Sequence, residues 1–267
     1  MKKLFKSIVI IGGFSALTVA CGEVEVRTGN PEPGLSYTVI SGSTKLANRS
    51  DDKWIKVEQT LTNEEGKDLL SGLDLVNIGQ LTPSPSGSVT PYRLTPVGAT
   101  WAWDIAKSYA PQSEMEEEKS ALNLILKILE EVEQATPPSP YDVIPEDAII
   151  TENGVGIRHL KKGDGVNFPT LDQDIVVYYT LWTADGKMVS SPRMLSQQNT
   201  FPLGVLITGW QEGVPHMSKG GRSILWIPGD LAYDLRLDRP TSPKGMLIFD
   251  IELLDIKDAT PEKPVQN

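Results

Sequence analysis

The second half of the sequence predicts an α+β domain, a mostly antiparallel sheet curled over one short helix. Three observations carry this expectation. Strand-like segments recur at Gly156 to Lys161, Asp174 to Thr183, Arg222 to Ile227 and Met246 to Ile256. Among them only Trp210 to Met217 has a helical pattern. Ahead of them, ATPPSPYDVIPED (Ala135 to Asp147) contains four prolines and no apolar period, which marks a domain boundary.

A chain of 267 residues exceeds what one small core needs, so two modest domains are expected. With 25 basic and 35 acidic side chains the formal charge is −10, which would repel a phosphate backbone and excludes nucleic acid as a partner.

From the N-terminus, Lys2, Lys3 and Lys6 precede an apolar run, Ile8 to Ala20, ending in small residues before Cys21. That is the pattern of a signal peptide over residues 1–20, too short for a bilayer span of roughly 20 residues. Cys21 is the only cysteine of the chain. The segment LTVAC resembles the lipobox of bacterial lipoproteins, with Thr18 where leucine is usual. The resemblance implies that Cys21 is acylated and holds the protein at a membrane; the other reading is a plain secretory peptide. Residues 21–33, rich in charge, Gly and Pro, read as a flexible tether.

The first domain is placed at 34–133. Leu35 to Ile40 alternates like a strand, and Trp54 to Leu61 forms a second one ending at the turn Asn63-Glu64-Glu65-Gly66. Leu69 to Pro96 is loosely patterned, and Ala99 to Ile105 is strand-like. Residues 113–134 fit two periods. Ser113 with Glu116 matches a capping box, with Leu122, Ile125, Leu126, Leu129 and Val132 on one helical face, yet Leu122, Leu124, Leu126 and Ile128 alternate as a strand would. A Pro-rich linker (134–150), a second domain (151–257) and a tail (258–267) complete the plan.

The second domain resembles the FKBP-type peptidyl-prolyl isomerases over Val155 to Lys257. The motifs come in that family's order: Gly163-Asp164-Gly165, VVYYT with ADGK, the GW-x-EG-x-x-x-M-x-x-GG block from Gly209 to Gly221, LAY, and LIFDIELL. The resemblance implies a twisted antiparallel sheet wrapped around a short helix, with a prolyl pocket between them. Trp210 would be the pocket floor. Tyr179, Val189, Ser190, Phe201, Leu206, Ile207 and Phe249 would line it, with the Tyr233 hydroxyl at its rim. The substrates would be proline-containing polypeptides, and no cofactor or metal is implied.

The sequence departs from that family at three places. Val189, Ser190, Ser191 and Pro192 stand where Phe-Asp-Ser-Ser is usual, and Asp234 follows Tyr233 where glycine is usual. The loop from Leu235 to Gly245 is short of apolar cover. These departures predict weakened catalysis, and the alternative they leave is a non-catalytic chaperone or peptide-binding lipoprotein.

The first domain resembles a decayed copy of the same unit. GLSYTVISG answers GIRHLKKG, QTLTNEEGK answers YTLWTADGK, and TPVGATWAWDIAKSYA answers MSKGGRSILWIPGDLA, at offsets of about 120 residues, as a duplication requires. Gln59 stands where Tyr179 would be, Pro111 where Tyr233 would be, and no tryptophan follows a glycine near Gly87. The first domain is therefore expected to be non-catalytic, and fold class is α+β in two tandem copies.

Other chemistries find little support. His159 and His216 are the only histidines and read as surface residues, and Ser190-Ser191 has no assigned base. Gly220-Gly221 lacks the lysine of a phosphate loop and reads as a turn.

Overall fold

The computed structural model describes residues 17–18, 23–24, 28–32, 35–43, 45–50, 52–78, 90–105, 121–237 and 242–258. Cys21, Gly87, Pro111 and nearly all of the signal segment lie outside them, as do Ser113 and Glu116. The chain divides into two compact units, Met1–Glu131 and Val132–Asn267.

In the first unit, β1 (Leu17–Thr18) and β2 (Glu23–Val24) form a two-residue ladder. Six strands follow: β3 (Thr28–Glu32), β4 (Leu35–Ser41), β5 (Trp54–Asn63), β6 (Asp68–Asn77), β7 (Thr100–Ile105) and β8 (Leu122–Val132). They form one sheet in the order β3-β4-β7-β8-β5-β6, with a five-residue helix α1 (Thr90–Leu94) between β6 and β7. The core gathers around Trp101 and Trp103, with Tyr37 stacked on Trp101 at 4.4 Å.

Two expectations for this unit are corrected, and one open alternative is resolved. The tether at 21–33 contains β3, which pairs with β4 at Thr28↔Thr38 and Gly29↔Tyr37. Leu69 to Pro96 is not loosely patterned throughout, because β6 pairs with β5 along its length, from Trp54↔Asn77 to Thr62↔Asp68. Ser71, Gly72 and Asp74 break its alternation, and its outer half is exposed, so no apolar face announced it. Residues 122–132 are strand rather than helix. Leu122, Leu124, Leu126 and Ile128 are buried while Asn123, Ile125 and Lys127 are not, a period of two that β7 on one edge and β5 on the other lock in place.

The second unit has seven strands: β9 (Ile149–Ile150), β10 (Gly156–Lys161), β11 (Gln173–Thr183), β12 (Met188–Ser190), β13 (Asn199–Pro202), β14 (Arg222–Ile227) and β15 (Leu247–Asp258). Their order is β12-β11-β15-β14-β10-β9, with β13 also on β11, and the pairings are antiparallel. Helix α2 (Thr208–Gly213) runs into a 3-10 turn at Val214–His216, together covering the helix expected at Trp210 to Met217. Strands β9, β12 and β13 escaped the sequence because two to four residues are too few to display a period. This is an α+β, FKBP-like sheet wrapped on a short helix.

The Pro-rich segment read as a linker is packed onto this unit. The indole N–H of Trp182 donates to the Ala135 carbonyl at 2.8 Å, Gln134 donates to the Gly186 carbonyl, and an Arg158 guanidinium N–H reaches the Ser139 carbonyl. Ile144 lies so close over Gly156 that an added Cβ there would stand 2.4 Å from it. The strap covers the sheet face opposite the helix, where Trp182 and Trp226 are buried. Proline-rich chain has no period of its own, so its contacts with that face could not be read from it.

Candidate functional site

The pocket-side face of the second sheet carries Ile175, Val177, Tyr179 and Leu181 from β11, Leu247, Phe249, Ile251 and Leu253 from β15, and Leu225 and Ile227 from β14. Alternation along each strand puts these side chains on one side and Trp182, Trp226 and Asp250 on the other. Helix α2 lies on that face at very short range. A Cβ on Gly209 would stand 2.2 Å from an Ile227 methyl, so the glycine before Trp210 is what lets the helix settle deeply enough to set the indole on the sheet.

Trp210 is only 4% exposed, and three aromatic rings stand around it. Phe249 meets it edge-on at 5.3 Å and 89°, Tyr179 at 5.8 Å and 87°, and Phe201 at 6.2 Å and 89°. Perpendicular contacts of this kind direct a positive ring edge at a negative ring face, each contributing about 0.5–1.5 kcal/mol beyond area burial. Val189, Leu206, Ile207, Tyr233 and Leu231 pack half-buried against the same cluster. These five half-buried side chains and the buried indole form one apolar, bowl-like cluster.

Of the residues singled out in the sequence, Tyr179, Val189, Phe201, Leu206, Ile207, Trp210, Tyr233 and Phe249 meet in this one cluster. Ser190 does not belong to it; it sits half-buried on β12 opposite Leu181. Sequence reasoning missed Leu231, which the 3-10 turn Gly229–Leu231 brings to the cluster. It also missed the charged support on the opposite face. Asp250, 6% exposed, accepts two hydrogen bonds from Arg222 at 2.8 and 2.5 Å, and Arg193 pairs with Glu252 at 2.9 Å. Beside them the hydroxyls of Thr180 and Ser191 are 2.7 Å apart. Ser191 thus serves the sheet rather than a nucleophile.

A family model described as FKBP-type peptidyl-prolyl cis-trans isomerase matches residues 165–254. FK506-binding protein 1 of Yarrowia lipolytica is 36% identical over 106 residues, which are 39% of this chain and 98% of that protein. The chain belongs to the FKBP-type peptidyl-prolyl cis-trans isomerase family. The probable FKBP-type peptidyl-prolyl cis-trans isomerase FkpA of Neisseria meningitidis is 32% identical over 120 residues, 43% of this chain and 44% of that protein. Among solved structures, FkpA from Escherichia coli matches with 32% identity and a TM-score of 0.40, over 43% of this chain and 54% of that one. The chain therefore spans about half the length of these two FkpA proteins.

His159 and His216 are exposed in this FKBP unit, His159 within 2.8 Å of the Ser223 hydroxyl. Partial burial, helped by His216 and Lys162 nearby, holds His159 below the usual imidazole range. Among the described residues no group of three or more His, Cys, Asp or Glu stands ready to hold a metal ion.

The first unit carries a buried polar cluster around Gln59. Gln59 lies two residues before the Leu61/Thr62 bulge, and Tyr179 two residues before the Leu181/Trp182 bulge. Gln59 is 4% exposed; its Oε1 accepts the Tyr92 hydroxyl at 2.6 Å and its amide donates to Asp74 at 3.3 Å. Tyr92 comes from α1, and burial, with Asp74 beside it, pushes its phenol up to about 12. Arg49, 6% exposed, clamps the end of that helix, donating to the Thr95 carbonyl at 2.5 Å while pairing with Glu131 at 2.7 Å.

Proposed function

We propose that the bowl over Trp210 isomerises Xaa-Pro bonds of polypeptides in the cell envelope and so assists their folding. The perpendicular setting of Tyr179, Phe201 and Phe249 around one buried indole carries this reading. Rotation about a prolyl bond has a barrier of roughly 18–20 kcal/mol from amide resonance, while the isomers differ by about 0.5–1 kcal/mol. The twisted amide has lost charge separation, so an apolar bowl favours it over the planar ground state. Trp210 supports the pyrrolidine ring, while Val189, Ile207 and Phe249 exclude water from the amide. Tyr179 is the opposite wall, with Phe201 and Leu206 beside it. The Tyr233 hydroxyl donates to a substrate carbonyl. Ser190 supplies only part of the polar edge that an aspartate gives elsewhere in the family, which leaves activity weakened.

Exchange spectroscopy on a short Xaa-Pro peptide with catalytic amounts of the full-length chain tests this. A cis-trans exchange rate left at its spontaneous value, with the peptide nonetheless bound, would replace the isomerase by a peptide-binding chaperone.

The location follows from the N-terminal sequence. Residues 1–20 direct export, and acylation of Cys21 holds the protein on a membrane with both folded units in the envelope. No helix among the described residues is long and apolar enough to cross a membrane. Mass spectrometry of the N-terminal peptide from membranes decides between a diacylglyceryl-cysteine and the unmodified thiol of a secreted protein.

The first unit is read as a degenerate, non-catalytic copy of the second. Its sheet order, β3-β4-β7-β8-β5-β6, repeats β9-β10-β14-β15-β11-β12 strand for strand. The bulges at Val39/Ser41 and Leu61/Thr62 recur about 120 residues later at His159/Lys161 and Leu181/Trp182. Both hairpins close alike, Asn63 N to Lys67 O at 3.1 Å and Thr183 N to Lys187 O at 3.0 Å. In this scheme the catalytic domain begins at the strap, near Val132, and ends with β15.

A further inference from the structure

Asp234 follows the rim tyrosine directly, where the sequence alone suggested a loss. Its surroundings are closely built. The Gly229 carbonyl accepts the Asp234 N–H at 2.9 Å and the Ala232 N–H at 3.1 Å, closing the turn that carries Tyr233. The Asp234 carboxylate folds back on Gly229, where an added Cβ would lie 2.0 Å from Oδ2 and 2.9 Å from the Gly245 carbonyl. Oδ1 accepts the Gly245 N–H at 2.8 Å, and the neighbouring Lys244 ammonium donates to the Tyr233 carbonyl at 2.6 Å. Gly245 itself has φ +75°, a backbone state that other residues enter with strain. The peptide after Tyr233 is therefore tied twice to the residues that lead into β15.

We infer that Asp234 and Lys244 are positioning residues for Tyr233, holding the rim hydroxyl at the register of a substrate carbonyl. The inference rests on the reading of Tyr233 as that hydrogen-bond donor. A donor displaced by about 1 Å loses much of its effect on a bound transition state. Both tethering side chains are exposed, so removing either leaves no buried polar group unsatisfied and changes global stability little. Function and stability thus separate at these positions.

A double-mutant cycle in the full-length chain tests the role, reading kcat and KM for an Xaa-Pro peptide alongside thermal unfolding. Asp234→Ala and Lys244→Met are each expected to lower kcat/KM about 3- to 10-fold, the scale of one hydrogen bond. Asp234→Asn, which keeps an acceptor oxygen, restores most of it. In a Tyr233→Phe background the same substitutions are expected to have no further effect. An equal loss in both backgrounds would overturn the positioning role, as would unchanged kinetics in Asp234→Ala. If Asp234→Ala fails to fold, the Lys244→Met half of the cycle decides by the same criterion. Absence of catalysis in the unmodified chain would instead overturn the pocket reading beneath it.

Discussion

The ring of Phe249 stands at 89° to the indole of Trp210 with centroids 5.3 Å apart, joining strand β15 to helix α2. In the proposed site this contact would couple catalysis to packing, because the ring that walls the bowl also fixes the angle of its floor.

Replacing the floor should therefore cost activity first. Trp210→Leu is expected to lower kcat/KM at least about 100-fold, equivalent to ~2.7 kcal/mol of transition-state stabilisation. Far-UV circular dichroism of the same variant should remain that of a folded sheet. Near-normal exchange rates in a folded Trp210→Leu protein would place the site elsewhere.

In the first unit, Tyr92→Phe removes the donor that satisfies the buried Gln59 oxygen. A loss of about 1–3 kcal/mol from urea unfolding is expected, with no change in isomerase activity. The phenol, pushed up to about 12, adds an alkaline signature. Because its folded value lies above the unfolded one, its stabilising contribution is complete below about pH 10 and is lost as the pH rises toward 12. Absorbance titration of wild type against Tyr92→Phe measures this directly.

The strap predicts where the isomerase unit can be cut. A fragment beginning at Val132 keeps it, and one beginning at Ala148 uncovers Trp182 and Trp226. Each indole represents about 150–250 Å² of surface, so exposing even half of it costs ~2–3 kcal/mol per ring. The shorter fragment should melt at least about 10 °C lower. Equal melting temperatures would mean that the strap contributes nothing to that face.

Acid stability of the isomerase unit should be governed by its turn aspartates. The Asn167 side chain and backbone N–H groups hold Asp164 below the usual carboxylate range, and the Thr183 hydroxyl does the same for Asp185. Lys219 lowers Asp255. Depressed folded values mean stability that is fully present above the unfolded value, about 4, and lost as pH falls through the folded ones. Denaturant midpoints should be level from neutral pH down to about 5 and fall below about 4. Asp164→Asn is expected to flatten that fall, and an unchanged slope would assign it to other groups.

Much of this molecule is legible from residue order. The alternation in Trp54 to Leu61 fixed a strand that the structure contains, because Ile55, Val57 and Gln59 are buried while Lys56 and Glu58 are not, and the period of two is therefore enforced. Arg222 to Ile227 is also a strand, but Ser223 to Ile227 are buried on both faces. The eight apolar and aromatic pocket residues were legible only through the order of their motifs, since each alone reads as ordinary core. Val189 and Asp234 were legible as departures, but not what Asp234 binds. Tyr92 carried no signal, because a five-residue helix between an irregular strand and a proline has no period to detect.

By itself the sequence determined the main antiparallel strands of the second sheet and the short helix around Gly209. Local alternation and a glycine at a close approach specify these whatever surrounds them. The tertiary structure decided the rest. Residues 122–132 became strand because β7 and β5 offered two edges to a segment whose own preferences were divided. The proline segment became a strap because two tryptophans on the outer face needed cover. Asp234 became a tether because Gly245, distant in sequence, presents its N–H where the carboxylate turns. Each depends on what lies across space from a residue rather than beside it in the chain.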